Sequence, residues 1–250
     1  MGFEGKFAFV TGGTRGIGRA VTLALARAGA DVAVNYLRNR GPAEEMRSLV
    51  AETGRRCLVL RGNVADHDHI HRMYETIGKE FGRLDMLVSN AASGVLKPAV
   101  ELTQKHWRWT MDINAGALLL MAQHVVDLMG EQGGKIVAVS SLGAIRAIPN
   151  YTAVGASKAA LESLVRHLAA ELAGRNVNVN AVSAGTVDTD ALKHFPNREE
   201  MIEQTKERTP AGRLVTPQDV ADTVMFLCSP QASMIQGQRP GSDGGHSILV

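Results

Sequence analysis

Short apolar runs alternate with longer amphipathic stretches along almost the whole chain. "KFAFVTG" is strand-like and is followed by the helical pattern "GRAVTLALARAGA". "DVAVNY" is strand-like again, and the rhythm continues through "RCLVLRGNV", "DMLVSNA", "KIVAVSS" and "VNVNAVSAG" with helical segments between. These runs are continuously apolar rather than alternating, as in a parallel sheet covered by helices on both faces. No Pro- or Ser-rich linker divides the chain and no internal repeat is visible. The pattern predicts an α/β fold: a doubly wound, Rossmann-type parallel sheet of about seven strands, forming a single domain over 1–250. The rhythm breaks once, after Gly185, where "TVDTDALKHFPNREEMIEQTKERTPAGR" carries Leu192, Phe195, Met201 and Ile202 among charges. A long excursion at the carboxyl end of a strand is where a substrate lid belongs, so a helical lid is expected over about 188–212.

Composition narrows the function classes. The chain has 250 residues, 27 basic against 25 acidic, with no basic stripe or acidic tail, which argues against nucleic acid or an anionic membrane as partner. "MGFEGKFAFV" lacks the form of a signal peptide, and Lys6 does not suit a myristoylation signal. The most apolar helical stretch, "GALLLMAQHVVDLMG", is interrupted by Gln123, His124 and Asp127 and reads as too polar and too short for a bilayer. Cys57 and Cys228 sit in apolar runs and are expected to be buried free thiols in a cytoplasmic protein.

"TGGTRGIG", Thr11 to Gly18, falls between the first strand and the first helix. Gly12, Gly16 and Gly18, with Thr14 and Ile17 between them, allow backbone N–H groups to approach a pyrophosphate at a helix N-terminus. Sites for NAD place a carboxylate about 20 residues further on, against the ribose 2′-hydroxyl. Here the second strand ends in Asn35 and Tyr36 without an acid, while Arg15 lies in the turn and Arg38 just past the strand. Two guanidinium groups suit a 2′-phosphate, so the cofactor expected is NADPH rather than NADH.

"NYTAVGASKAAL" raises a second question. Reductases with a tyrosine–lysine pair usually space the two by four, but Tyr151 and Lys158 are seven apart, and position 154 is Val154. Either the pair is lost or it is re-spaced for a different reaction.

Together, "TGGTRGIG", "NVAD" at 63–66, "SNAA" at 89–92, Asn114, "VSS" at 139–141, the Tyr151/Lys158 pair and "AGTVDT" at 184–189 resemble the short-chain dehydrogenase/reductase family over the whole chain. The resemblance implies that Asn63 and Val64 flank the adenine and that Asn90, Ala91 and Ala92 line the cofactor groove. It implies that Gly185, Val187 and Thr189 contact the nicotinamide carboxamide, that Lys158 holds the nicotinamide ribose, and that Asn114 holds a water in a proton relay. Ser141 takes the family's catalytic serine position. A tyrosine followed by six residues and a lysine is similar to the enoyl-acyl-carrier-protein reductases, in particular their NADPH-dependent bacterial type III branch. That likeness implies reduction of trans-2-enoyl thioesters on acyl carrier protein in fatty acid biosynthesis, by a homotetramer. The alternatives are an enoyl- or dienoyl-CoA reductase, a 3-ketoacyl thioester reductase, or a catalytically silent NADP(H)-binding regulator.

The spacing has a chemical reading. On a helix, i+4 and i+7 return near the same face, but i+7 lies roughly 5 Å further along the axis. A phenol set back from the hydride donor matches an enolate oxygen, since the carbon that receives hydride is two bonds removed from the thioester carbon. The charge of Lys158 is expected to bias that phenol towards lower pKa. Leu142, Val154, Leu192 and Phe195 are expected to enclose the acyl chain, and Arg146, Lys193 or Arg198 to meet carrier phosphates. Trp107 and Trp109 read as helix-packing or subunit-contact residues rather than substrate stackers. His67 and His71, at i and i+4, read as a wet helix start rather than a metal site, since no acidic or cysteine partner is placed to complete one.

Overall fold

The computed structural model describes residues 2–189, 192 and 198–249. Its strands are β1 (Phe7–Val10), β2 (Asp31–Tyr36), β3 (Cys57–Arg61), β4 (Met86–Ser89), β5 (Gly134–Ser141), β6 (Val177–Ala184) and β7 (Gly241–Ser242). They form one sheet in the order β3-β2-β1-β4-β5-β6-β7, every pairing parallel. Helices α1 (Gly16–Arg27), α2 (Arg40–Ala51) and α8 (Pro217–Cys228) cover one face; α3 (His67–Phe81), α5 (Ala117–Met129) and α6 (Thr152–Leu172) cover the other. Successive side chains of a strand point to opposite faces, so Phe9 joins the core under α3, α5 and α6 while Ala8 and Val10 join the core under α1 and α8. Both faces being buried is why the runs are apolar throughout. Each fully buried Leu or Ile contributes roughly 1.5–3 kcal/mol.

Strand order reverses between β1 and β4, which both pair with neighbours running the same way. A crevice therefore opens at their carboxyl ends, the place where such sheets bind ligands. β7 holds only Gly241 and Ser242, set by pairing to Ser183 and Ala184.

Two expectations change. Helix α4 (Gln104–Met111), one turn of π-helix (Asp112–Gly116) and α5 run on as a single helical rod of 29 residues to Gln132. By length and composition that rod could cross a membrane, but 56% of its apolar window is buried inside the protein. Leu118, Met121, Ala122 and Val125 point into the sheet, which makes it a core helix. Cys228 is buried, but Cys57 is only half-buried; both are free thiols, and burial pushes each up to about 12. Of the expected lid, α7 (Arg198–Arg208) is described, with Met201 and Ile202 partly buried and Leu192 buried. Phe195, Lys193 and the Arg198 side chain lie outside the described residues. Beyond α7 the chain is tied to the C-terminal segment, Ala211 N–H donating to Gly244 O at 3.1 Å.

His67 and His71 are exposed at the start of α3, which Asp66 caps by accepting from His69 N–H at 3.0 Å. Both rings lie 5.6 Å from that of His124 on α5, which in turn stacks on Tyr74 at 5.4 Å. Among the described residues no group of three or more His, Cys, Asp or Glu is arranged to hold a metal. Burial, then His67 and His71, hold the His124 imidazole below its ordinary range. Its folded pKa being depressed, the unfolded chain binds the extra proton first. The stability it carries is complete above about pH 6.5 and is lost as pH falls below. His124→Phe keeps the stack and is expected to flatten the fall of Tm between pH 7 and 5; curves parallel to wild type would refute this.

Candidate active site

The glycine turn sits at the crevice. Gly12 and Gly16 take positive φ, 62° and 52°, and a Cβ on Gly18 would collide with the Gly12 carbonyl oxygen. Helix α1 begins with no side-chain cap and no acidic residue in its first turn, so its N–H groups and positive dipole end remain for an anion. Thr11 Oγ1 accepts from the N–H groups of Asn90 and Ala91, each at 3.0 Å, and locks the end of β4 to the turn. From across the crevice, the Thr189 methyl lies 3.5 Å from where a Cβ on Gly16 would be. Thr14 and Val64 are buried, Ile17 and Tyr36 half-buried, and Ala92 exposed. Gly185 N–H donates to Ser242 O at 3.0 Å, and Val187 is buried in a bridge to Val215.

Several amides expected at the cofactor are bonded within the protein. Asn35 is 3% exposed; its Oδ1 accepts from Gly12 N–H at 3.4 Å and its Nδ2 donates to Gly62 O at 2.8 Å. Asn90 Nδ2 donates to Thr11 O at 2.9 Å, and Asn63 Oδ1 accepts from Ala65 N–H at 3.1 Å. A buried amide needs partners whether or not a ligand is bound, so these residues set the shape of the turns. Arg15 and Arg38 differ. Both are exposed, and neither guanidinium has an ion pair or hydrogen bond among the described residues, whereas Arg19 is paired to Glu45 at 2.8 Å and Arg56 to Asp31 at 2.8 Å.

Three consecutive residues at the carboxyl end of β5 each meet a residue of α6 or its cap. Val139 O accepts from Lys158 Nζ at 2.7 Å, Ser140 Oγ donates to Glu162 Oε1 at 2.6 Å, and Tyr151 Oη lies 3.5 Å from Ser141 Oγ. Tyr151 is not within the helix. It is the N-cap of α6, with φ −108° and ψ 9°, although its carbonyl still accepts from Gly155 N–H at 2.7 Å. Asn150 before it adopts φ 60°, a conformation Asn tolerates, and its carbonyl accepts from Lys97 N–H at 3.0 Å. The ring fits a slot left by missing side chains: a Cβ on Gly143 would lie 2.5 Å from Tyr151 Cε1, and one on Gly155 3.7 Å from Cδ1. Gly143→Ala is therefore expected to displace the ring and cut turnover at least tenfold while cofactor affinity, measured by fluorescence titration, stays unchanged. Unaltered turnover would refute the slot.

Burial raises the Tyr151 phenol above its ordinary value, and the influence opposing this is the bond to Ser141. The expected lowering by Lys158 is not what the structure shows. Lys158 is bonded to Val139, two residues or roughly 6–7 Å back along the strand. Its own amine, 5% exposed, is pushed down by burial to about 8, with Glu162 acting the other way. Asn114, in the π-turn, is engaged on both sides: Nδ2 donates to Ser157 Oγ at 2.9 Å and Oδ1 accepts from Ser93 N–H at 2.9 Å. Its side chain joins α6 to the loop after β4. Such π-turns recur at functional sites.

The substrate side is aliphatic. Val154, 8% exposed, packs so closely on Gly94 that a methyl there would overlap it. Leu142 begins a 3₁₀ turn directly after Ser141. Trp107 and Trp109 both stay partly exposed, and Trp109 Nε1 donates to Ser93 Oγ at 3.0 Å, beside the same loop. Arg146 is exposed. Glycines 94, 143 and 155, Asn150 and Glu162 escape a reading by motif, because each acts through what it leaves room for or holds.

Residues 12–247 match the family model described as Enoyl-(Acyl carrier protein) reductase. The chain is a short-chain dehydrogenase/reductase. It is 40% identical to the 1-cyclohexenylcarbonyl-CoA reductase of Streptomyces collinus over 98% of this chain and 88% of that one. To the 3-oxoacyl-[acyl-carrier-protein] reductase FabG of Thermotoga maritima it is 36% identical, over 98% and 99%. Among solved structures, a Serratia marcescens short-chain dehydrogenase/reductase mutant superposes with a TM-score of 0.92 at 32% identity, covering 99% of this chain and 100% of that one. This short-chain dehydrogenase/reductase is thus an oxidoreductase of a family that binds nicotinamide cofactors, and the open N-terminus of α1 beside the tight glycine turn fits a dinucleotide pyrophosphate.

Proposed function

We propose that the enzyme reduces the carbon–carbon double bond of trans-2-enoyl thioesters carried on acyl carrier protein, using NADPH. The observation that carries this reading is the Tyr151 phenol, held against Ser141 at the N-cap of α6, with aliphatic Val154 where a carbonyl reductase places its acid. The glycine turn would hold the pyrophosphate, Arg15 and Arg38 the 2′-phosphate, and Lys158 the nicotinamide ribose. When bound, the nicotinamide supplies the hydride that reaches the β-carbon. Tyr151, kept protonated by its burial, donates its O–H to the thioester oxygen as enolate charge develops there. The α-carbon then takes a proton from Tyr151 or from water. Ser141 orients the phenol; Leu142, Val154 and Leu192 exclude water and face the acyl chain.

A second reading, the same reduction on a CoA-carried substrate, is favoured by the 40% identity to a 1-cyclohexenylcarbonyl-CoA reductase. Reduction of a 3-oxoacyl group, suggested by the 36% identity to FabG, lacks an acid at 154. Assembly as a homotetramer, which the family resemblance implies, belongs to the same proposal, with exposed Ile248 and Leu249 available at the C-terminal end.

Purified enzyme is expected to oxidise NADPH on crotonyl-ACP and crotonyl-CoA but not on acetoacetyl-CoA, and the faster carrier names the substrate. Oxidation on acetoacetyl-CoA alone overturns the proposal, and binding without any reduction marks a silent regulator. Charge-assisted hydrogen bonds are worth about 1.5–3 kcal/mol, so Arg15→Ala and Arg38→Ala should each raise KM for NADPH about tenfold or more and leave that for NADH nearly unchanged. Equal effects on both cofactors would return the arginines to ordinary surface charges.

A further inference from the structure

Glu162 is a buried carboxylate that the chemistry above does not use. It lies one helical turn beyond Lys158, 6% exposed, with each oxygen engaged: Oε1 accepts from Ser140 Oγ at 2.6 Å, and Oε2 pairs with Arg239 Nε at 3.2 Å. Ser140 directly follows Val139, whose carbonyl holds Lys158. We propose that Glu162 is a positioning residue which keeps the Lys158 side chain in its ammonium form at the cleft, and that Ser140 and Arg239 keep the carboxylate from closing on it. The proposal rests on the reading of Lys158 as a cofactor-holding residue.

Among the described residues, Glu162 is the charged group that acts on this amine. Burial pushes the Lys158 amine down to about 8, and Glu162 is the influence raising it. From β5 the neighbours are uncharged Val139, Ser140 and Ser141; the π-turn contributes Asn114, bonded to Ser157; Tyr151 meets Ser141; and the segment before β7 contributes Arg239. A lysine without its carboxylate would lose its proton at a lower pH, and a carboxylate without Arg239 and Ser140 would be free to pull Nζ off Val139. The arginine thus limits how strongly Glu162 acts.

The dissociation constant of NADPH, read by cofactor fluorescence from pH 6 to 10, tests this in wild type, Glu162→Gln and Arg239→Met. Wild type is expected to weaken on the alkaline side as Lys158 loses its proton. Glu162→Gln should move that break down by about one pH unit, and Arg239→Met should move it up. Opposite displacements do not arise from a merely structural role, which weakens binding without moving the break. Breaks that stay at the wild-type pH overturn the proposal, as does a wild type with no alkaline break. Should Glu162→Gln fail to fold, Arg239→Met decides alone, and a break that stays or falls refutes the role. Because binding is read, absence of enoyl reduction would sink the proposed function without touching this result.

Discussion

Tyr151→Phe is expected to lower turnover on a crotonyl thioester by about 10²–10⁴-fold, the range of a lost proton donor, while the NADPH dissociation constant stays within about twofold. The ring keeps its slot, since Gly143 and Gly155 meet carbon atoms of Tyr151. Only the hydroxyl is removed, and with it the contact to Ser141. If that O–H stabilises the enolate, the loss falls on kcat and kcat/KM together. A rise in KM alone would make the phenol a binding group, and full activity would remove it from the mechanism.

Lys158→Met separates activity from stability. Cofactor binding and turnover should fall by about tenfold to a hundredfold, the loss expected if the ammonium holds the nicotinamide ribose as proposed. Stability should not fall with them. The folded amine titrates at about 8 against an ordinary 10.5, so the unfolded chain holds more protons between those values and stability rises with pH across that window. Below pH 8 the folded state bears the whole cost, on the order of 3 kcal/mol. Against it stands the Val139 carbonyl left without its donor, about 1–3 kcal/mol. The first effect matches or exceeds the second, so Tm at pH 7 should be unchanged or higher. The advantage over wild type should shrink as pH rises from 8 towards 10. A Tm several degrees lower would show that the lysine holds the fold together.

The sheet was legible because its strands are buried on both faces, and β1, β2, β5 and β6 announce themselves as apolar runs. β7 could not be seen: Gly241 and Ser242 have no pattern of their own and become a strand through pairing with β6. The glycine turn and the Tyr151/Lys158 pair were likewise visible as motifs. Their surroundings were not. Asn35 is visible in the sequence as the polar end of β2, but the bonding of its buried amide to Gly12 and Gly62 is not. Tyr151 looked helical because its spacing to Lys158 is helical, yet left-handed Asn150 places it on the cap.

That last placement bears on how such an enzyme changes its chemistry. A side chain at 154 rides on a rigid rod, and its aim is fixed by the same packing that builds the core. A side chain on the cap takes its aim from the 142–150 connection, where Asn150 O accepts from Lys97 N–H and Arg146 donates to Ser247 O. Insertions, deletions or a changed glycine there can re-point the phenol while Lys158, Glu162 and the cofactor crevice stay where they are. The aim of the phenol is then written in a surface connection, and one scaffold can be re-aimed without refolding.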